Sequence, residues 1–279
     1  MEKEIEMFMT HIDAFERLDS ARYDFNVCKE TNEILGKYMD FENKETNVPP
    51  KVVARELMWA DQNHLMDDDI FYFIDKALRD AYYQIKDPYA SFELGCLYYF
   101  ERYNHVDYTK AFKYFSKEKN LGESNAMLGE CYFYGRGVKQ DYEKAFHNLV
   151  KSALTDSSAR TSYLLGDMYK SGYYVEQDIL EAYDLYWHAK CIAEELKPCA
   201  HTMAEIYYRI GDGYFEREKD RDSLKMALQA FNYSEQMFLQ AICEGNPSLI
   251  NELKDVRNKQ NEVKEYMDDL FLQTSTILS

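Results

Sequence analysis

Apolar residues along this chain recur at spacings of three and four, the period of an amphipathic helix rather than a strand. Phe8, Ile12, Phe15 and Leu18 form one stripe, and Tyr23, Val27, Ile34, Leu35 and Tyr38 form a second. Residues 40–50 are polar and end in Pro49-Pro50. This predicts a linker and then a helix carrying Val52, Val53, Leu57 and Met58, because proline is tolerated in a first helical turn. Asp67-Asp68-Asp69 predicts another helix start, with acids at the positive end of the dipole and Phe71, Ile74, Ala77, Leu78 and Ala81 on the buried face. Only five Pro and eleven Gly punctuate the sequence. The pattern predicts an all-helical protein.

From Asp87-Pro88 onward one phrase repeats. Leu94-Gly95-x-x-Tyr98, Leu128-Gly129-x-x-Tyr132 and Leu165-Gly166-x-x-Tyr169 are clear copies, and Met203-Ala204-x-x-Tyr207 is a weaker fourth. Gly95, Gly129, Gly166 and Ala204 are spaced by 34, 37 and 38 residues. A period in this range means stacked supersecondary units. Each unit predicts a first helix bearing the phrase and then a turn, best seen in Tyr134-Gly135-Arg136-Gly137-Val138. Asp107, Asp141 and Asp178 follow, placed to cap a second helix through their side-chain oxygens. That helix opens with Lys110-Ala111, Lys144-Ala145 or Glu181-Ala182 and then an aromatic (Phe112, Phe146, Tyr183).

A glycine inside a helix costs about 1 kcal/mol relative to alanine. Its repetition at Gly95, Gly129 and Gly166 therefore implies close approach of a neighbouring helix, with Ala111, Ala145 and Ala182 as the expected opposing surfaces. In the fourth unit Gly211-Asp212-Gly213 predicts a turn, followed by a charged stretch from Glu216 to Asp222 and a long second helix over Ser223 to Cys243. Asn246-Pro247 predicts the start of a last, capping helix with Ile250, Leu253, Val256, Val263 and Met267 on one face. Gln273 to Ser279 are expected to fray. The expected organisation is a helical region over 1–88, repeats over 89–212, and a degenerate last repeat with its cap over 213–279.

A formal net charge of −17 argues against nucleic acid or an anionic membrane surface as partner, since both need a basic footprint. It suits a basic partner or plain solubility. Hydrophobic residues at 46% argue against wholesale disorder. The 25 Tyr give a helical-repeat protein large contact areas with a polar tip. Met1-Glu2-Lys3-Glu4-Ile5-Glu6 is no basic, then apolar, leader, and no run approaches the roughly 18 apolar residues of a membrane span, so a cytoplasmic protein is expected.

The succession of a small residue, Leu-Gly-x-x-Tyr, Gly-x-Gly-Val, Asp, Lys-Ala and an aromatic resembles the Sel-one-like repeat (SLR), a subgroup of the tetratricopeptide-like helical repeats. The unit from Ser124 to Ala153 matches best. The unit from Ala90 has Glu101-Arg102-Tyr103 in place of the Gly-x-Gly turn, and the third has Tyr174 where the second glycine should stand. The resemblance covers about residues 89–212. It implies a right-handed superhelical α-solenoid of stacked antiparallel helix pairs, and a non-enzymatic scaffold or regulatory adaptor that binds proteins or peptides. Competing expectations are a peptide sensor that changes shape on binding and, from the cysteine-rich bacterial branch of the family, a β-lactam-binding or hydrolysing protein. That branch carries disulfides with the spacing of Cys191 and Cys199 at its repeat junctions, which implies a bridge here. A reducing compartment implies reduced, buried thiols instead.

Little else points to chemistry. The six His are scattered, and Gly135-x-Gly137 follows a helix rather than a strand, so it is no phosphate cradle. His188, Cys191, Cys199 and His201 suggest zinc, but Cys199 and His201 point apart on a helix, and no metal or cofactor is expected. The repeat register provides the site expectation. Positions around each glycine on the first helices should face the concave surface. They are Phe92, Cys96 and Tyr99; Ala126, Glu130 and Phe133; Tyr163, Asp167 and Lys170; and His201, Glu205 and Tyr208. This predicts an aromatic groove with a row of acids at Glu130, Asp167 and Glu205, suited to a basic, partly apolar peptide or helix.

Overall fold

A computed structural model describes residues 12–21, 29–43, 45–60, 66–155, 158–196, 199–217, 219–244 and 246–277. Phe8, Tyr23, Val27 and Cys28 of the sequence lie outside the described residues. The fold is the expected all-α helical repeat. The chain folds as two compact units, Met1–Gln140 and Asp141–Ser279.

The first unit holds α1 (Ile12–Ala21), α2 (Lys29–Tyr38), α3 (Pro50–Trp59), α4 (Asp68–Asp80), α5 (Pro88–Tyr99), α6 (Tyr108–Phe115) and α7 (Gly122–Tyr134). The polar linker contains a minimal antiparallel pair, β1 (Met39–Asp40) with β2 (Glu45–Thr46). Pro50 opens α3 as expected, and Asp67 caps α4 by accepting from Asp69 N at 2.9 Å and Ile70 N at 3.2 Å. A π-helical turn over Ala81–Ile85 extends α4 and ends at Lys86 in the left-handed region. Leu18, Leu35, Val53, Leu57, Phe73, Ile74, Leu78, Leu94 and Leu97 are buried in one continuous core.

The second unit holds α8 (Tyr142–Thr155), α9 (Ala159–Ser171), α10 (Ile179–Leu196), α11 (Ala200–Arg217), α12 (Arg221–Cys243) and α13 (Ile250–Ile277). Leu253, Val256 and Val263 of α13 pack on Leu224, Phe231 and Phe238 of α12. The last helix runs to Ile277, through residues expected to fray. The turns and caps follow the sequence closely. Gly135, Gly137 and Gly172 all take left-handed φ, at 72°, 72° and 67°. Tyr174 takes φ 67° where the second turn glycine is missing, a conformation that costs a bulky residue energy. Asp107, Asp141 and Asp178 each accept a backbone N–H three residues on, from Lys110, Lys144 and Glu181.

Two expectations need correction. The surfaces that press on Gly95 and Gly166 are chiefly aromatic rings one helical turn beyond the expected alanines. A Cβ on Gly95 would collide with the Phe115 ring, and one on Gly166 would come within 2.5 Å of Tyr186 Cε1 and 3.1 Å of the Ala182 carbonyl oxygen. The second correction concerns Gly211-Asp212-Gly213, which forms no turn: α11 runs straight through it to Arg217. Gly211 meets the Phe231 ring, 2.9 Å from where its Cβ would be. Gly95, Gly166 and Gly211 thus each face a ring twenty positions downstream, with buried Ala111, Ala182 and Ala227 sixteen downstream. The contact glycine of the fourth hairpin is Gly211, seven residues beyond Ala204.

Candidate functional site

In the first unit, Cys96, Tyr99, Ala126, Glu130 and Phe133 are all buried, and Phe92 packs its ring 6.0 Å from Phe115. Only 4% of Glu130 is exposed. Its Oε1 accepts the Tyr99 hydroxyl at 2.8 Å, and Arg136 Nη1 donates to the same Tyr99 hydroxyl at 2.8 Å and to Glu130 Oε1 at 3.3 Å. The Arg136 guanidinium also lies over the Tyr99, Tyr108 and Tyr134 rings at 5.4, 5.4 and 4.9 Å. Burial, reinforced by the Glu130 carboxylate, pushes the Tyr99 phenol far above its ordinary range. Arg136 reaches this cluster because the left-handed glycines on either side of it reverse the chain just after α7.

In the second unit, α9 presents Tyr163, Asp167 and Lys170, and α11 presents His201, Glu205 and Tyr208. Arg209, one residue beyond Tyr208, joins them. Its Nε donates to Asp167 Oδ1 at 2.8 Å and its Nη2 to Asp167 Oδ2 at 2.6 Å, while Nη1 binds the Glu205 carboxylate one turn earlier. The Tyr163 ring lies under the guanidinium at 4.3 Å, and Tyr186 donates its hydroxyl to Asp167 at 2.8 Å. Burial alone would raise the Glu205 carboxyl, but the Arg209 guanidinium, with His201 Nε2 at 3.7 Å, holds it down at about 2.

A second cluster follows on the same helices. Lys170 pairs with Asp212 and, at 3.1 Å, with Glu216. Lys259 of α13 lies 3.3 Å from Asp212 Oδ1. Burial would lower the Lys170 ammonium, yet the carboxylates of Asp212 and Glu216 raise it. Glu130, Asp167 and Asp212 each directly follow a glycine of the repeat register, and each meets a cation.

The acids of the expected row therefore do not stand as free carboxylates. Glu130 is matched to Arg136, and Asp167 and Glu205 to Arg209. Neither arginine, nor Asp212, stands at one of the expected groove positions. Arg209 lies one turn after Glu205, which was visible as an i, i+4 pair. Its partner Asp167 is 42 residues away and meets it only through folding.

The cysteine expectation also changes. Cys191, Cys199 and Cys243 carry exposed free thiols, whereas Cys96 and Cys131 are buried. Burial pushes the Cys131 thiol up to about 12. Cys199 Sγ lies 3.4 Å from the Thr202 hydroxyl, and His188 Nδ1 lies 3.2 Å from the Ser162 hydroxyl. His188, Cys199 and His201 thus have separate partners. Among the described residues no three His, Cys, Asp or Glu side chains are gathered as a metal would need, and no helix is long and apolar enough to cross a membrane.

No curated protein matches the chain significantly. A Sel1 repeat protein from Oxalobacter formigenes is 18% identical, with a TM-score of 0.46 over 77% of this chain and 96% of its own. One from Klebsiella pneumoniae subsp. pneumoniae is 17% identical, with a TM-score of 0.45 over 75% of this chain and 92% of its own. A protective antigen of uropathogenic Escherichia coli displaying an SLR fold is 15% identical, with a TM-score of 0.46 over 79% of this chain; the match spans 51% of that protein. The family model for the Sel1 repeat matches residues 88–117, 122–154 and 159–186. Sel1 repeat proteins are generally non-catalytic protein-interaction scaffolds. The chain thus carries three Sel1 repeats in register.

Proposed function

We propose that this protein is a scaffold that binds a basic, partly apolar segment of a partner protein on the face of its second unit around Tyr208 and Glu216. The observation that carries this reading is the set of three Sel1 repeats on a chain of net charge −17. Internal ion pairs fix Arg209 and Lys170, so this face is rigid before a partner arrives, which lowers the ordering cost of binding. Glu216 and Glu262, whose side chains are 45% and 50% exposed, give that surface carboxylates within reach of a partner's cations. Tyr208, half-buried, supplies an aromatic anchor, and the outer acids supply steering and register.

Affinity capture from the native cell tests this. Wild-type protein should retain one major partner at low salt and lose it progressively as salt screens the acids. Glu216→Lys with Glu262→Lys should reduce capture severalfold while the helical circular dichroism is preserved. Equal capture by the folded double variant and the wild type would eliminate the basic-partner reading.

A further inference from the structure

In the first unit, three tyrosine rings converge on one ammonium group. Lys117 Nζ sits 4.6 Å from the Tyr82 ring centre, 4.8 Å from Tyr83 and 4.5 Å from Tyr114. It also donates a hydrogen bond to the Tyr83 hydroxyl at 2.9 Å. Tyr82 and Tyr83 stand edge to face, with ring centres 4.8 Å apart and planes at 79°. Both belong to the π-helical turn after α4, whereas Tyr114 belongs to α6. A π turn adds a residue to the helical circuit, so consecutive tyrosines can both aim at one point, and such turns recur at functional sites. The walls are supported from behind. Tyr114 is buried and stacks on Tyr98 at 6.1 Å, and Tyr98 is tied to Asp75 at 2.8 Å and to Arg79 at 3.1 Å.

Tyr83 is about half exposed, so the mouth of this cage opens to solvent. Lys117 is an exposed residue just past the end of α6, in the turn leading to α7, on a four-carbon stem with many rotamers. Aromatic rings arranged around an ammonium are the physical basis of lysine and quaternary-ammonium recognition.

We propose that the Tyr82–Tyr83–Tyr114 cage is a binding site for a lysine side chain of a partner, which Lys117 fills from within until the partner displaces it. This rests on the scaffold reading above, since a lysine-bearing partner is what such a scaffold would take. The occupant is a primary alkylammonium because the cage already holds one and because the Tyr83 oxygen accepts one of its N–H bonds. An internal lysine lowers the apparent affinity of an external one by the fraction of time the cage is empty, so removing it unmasks the site.

The test titrates N-acetyl-lysine amide into wild type, Lys117→Ala and Lys117→Gln, following tyrosine ring resonances by NMR. Both variants should bind at concentrations about tenfold or more below those needed for wild type. N-acetyl-norleucine amide should leave the same resonances unmoved, and adding Tyr83→Leu to Lys117→Ala should abolish the response. Equal titrations in wild type and both variants, or equal binding of the uncharged norleucine analogue, would overturn the proposal. Shifts with tetramethylammonium alone would also overturn it, because they would identify a small quaternary ion as the occupant. Capture of a partner through the repeat surface would be unaffected by any of these results, so the two readings fail separately.

Discussion

Arg209 forks onto Asp167 with Nε and Nη2 on opposite carboxylate oxygens, at 2.8 and 2.6 Å, and so ties α11 to α9. The Arg209 side chain is 12% exposed and that of Asp167 18%, so both charges have left most of their water behind. Such a pair contributes little beyond an apolar substitute, but losing one partner strands the other. Arg209→Met strands two carboxylates, Asp167 and Glu205. Urea unfolding should show a loss of about 3–5 kcal/mol. Arg209→Lys keeps the charge but cannot form the two parallel bonds, so it should fall between wild type and Met. A loss of less than about 1 kcal/mol for Arg209→Met would mean that the pair does not hold these helices together.

The same arginine sets an acid limb of stability. Glu205 is held at about 2 in the folded protein against an ordinary value of 4.5, despite burial that works the other way. A depressed carboxyl stabilises the fold fully above its unfolded value, and the contribution disappears as pH falls through the folded one. Thermal midpoints should therefore drop as pH falls from about 4.5 toward about 2. In Glu205→Gln the side chain has no proton to gain, so this part of the slope should be missing. Parallel curves for the two proteins would assign the acid limb to other carboxylates.

The distance of each fact along the chain decided whether it was legible. Asp107, Asp141 and Asp178 declare their helices because a cap acts over three residues. Gly135 and Gly137 declare a turn because left-handed φ favours glycine. The role of Gly211 was hidden because Gly-Asp-Gly satisfies the local rule for a turn, while its reason for being glycine is the Phe231 ring twenty residues later. The register of the acids was legible at Glu130 and Asp167. Their neutralisation was not, since a carboxylate in a sequence carries no mark of the guanidinium that folding will bring to it.

Among the described residues, glycines inside helices fall on both sides of an energetic balance. Gly166 sits in α9 against Tyr186, a ring only 2% exposed and pinned through its hydroxyl to Asp167. Gly211 sits in α11 against Phe231, which is fully buried. A methyl at either position meets a ring that cannot swing away, so Gly166→Ala and Gly211→Ala should each destabilise by about 1–3 kcal/mol through overpacking. Gly36 lies in α2, is exposed, and has nothing within 4 Å of where a Cβ would go. There the methyl clashes with nothing and restricts the unfolded chain, so Gly36→Ala should stabilise by about 0.5–1 kcal/mol. Denaturant titration of the three variants checks the signs as well as the sizes. If Gly211→Ala proved neutral or stabilising, Gly211 would not be the contact glycine of the fourth hairpin, and its register would revert to Ala204.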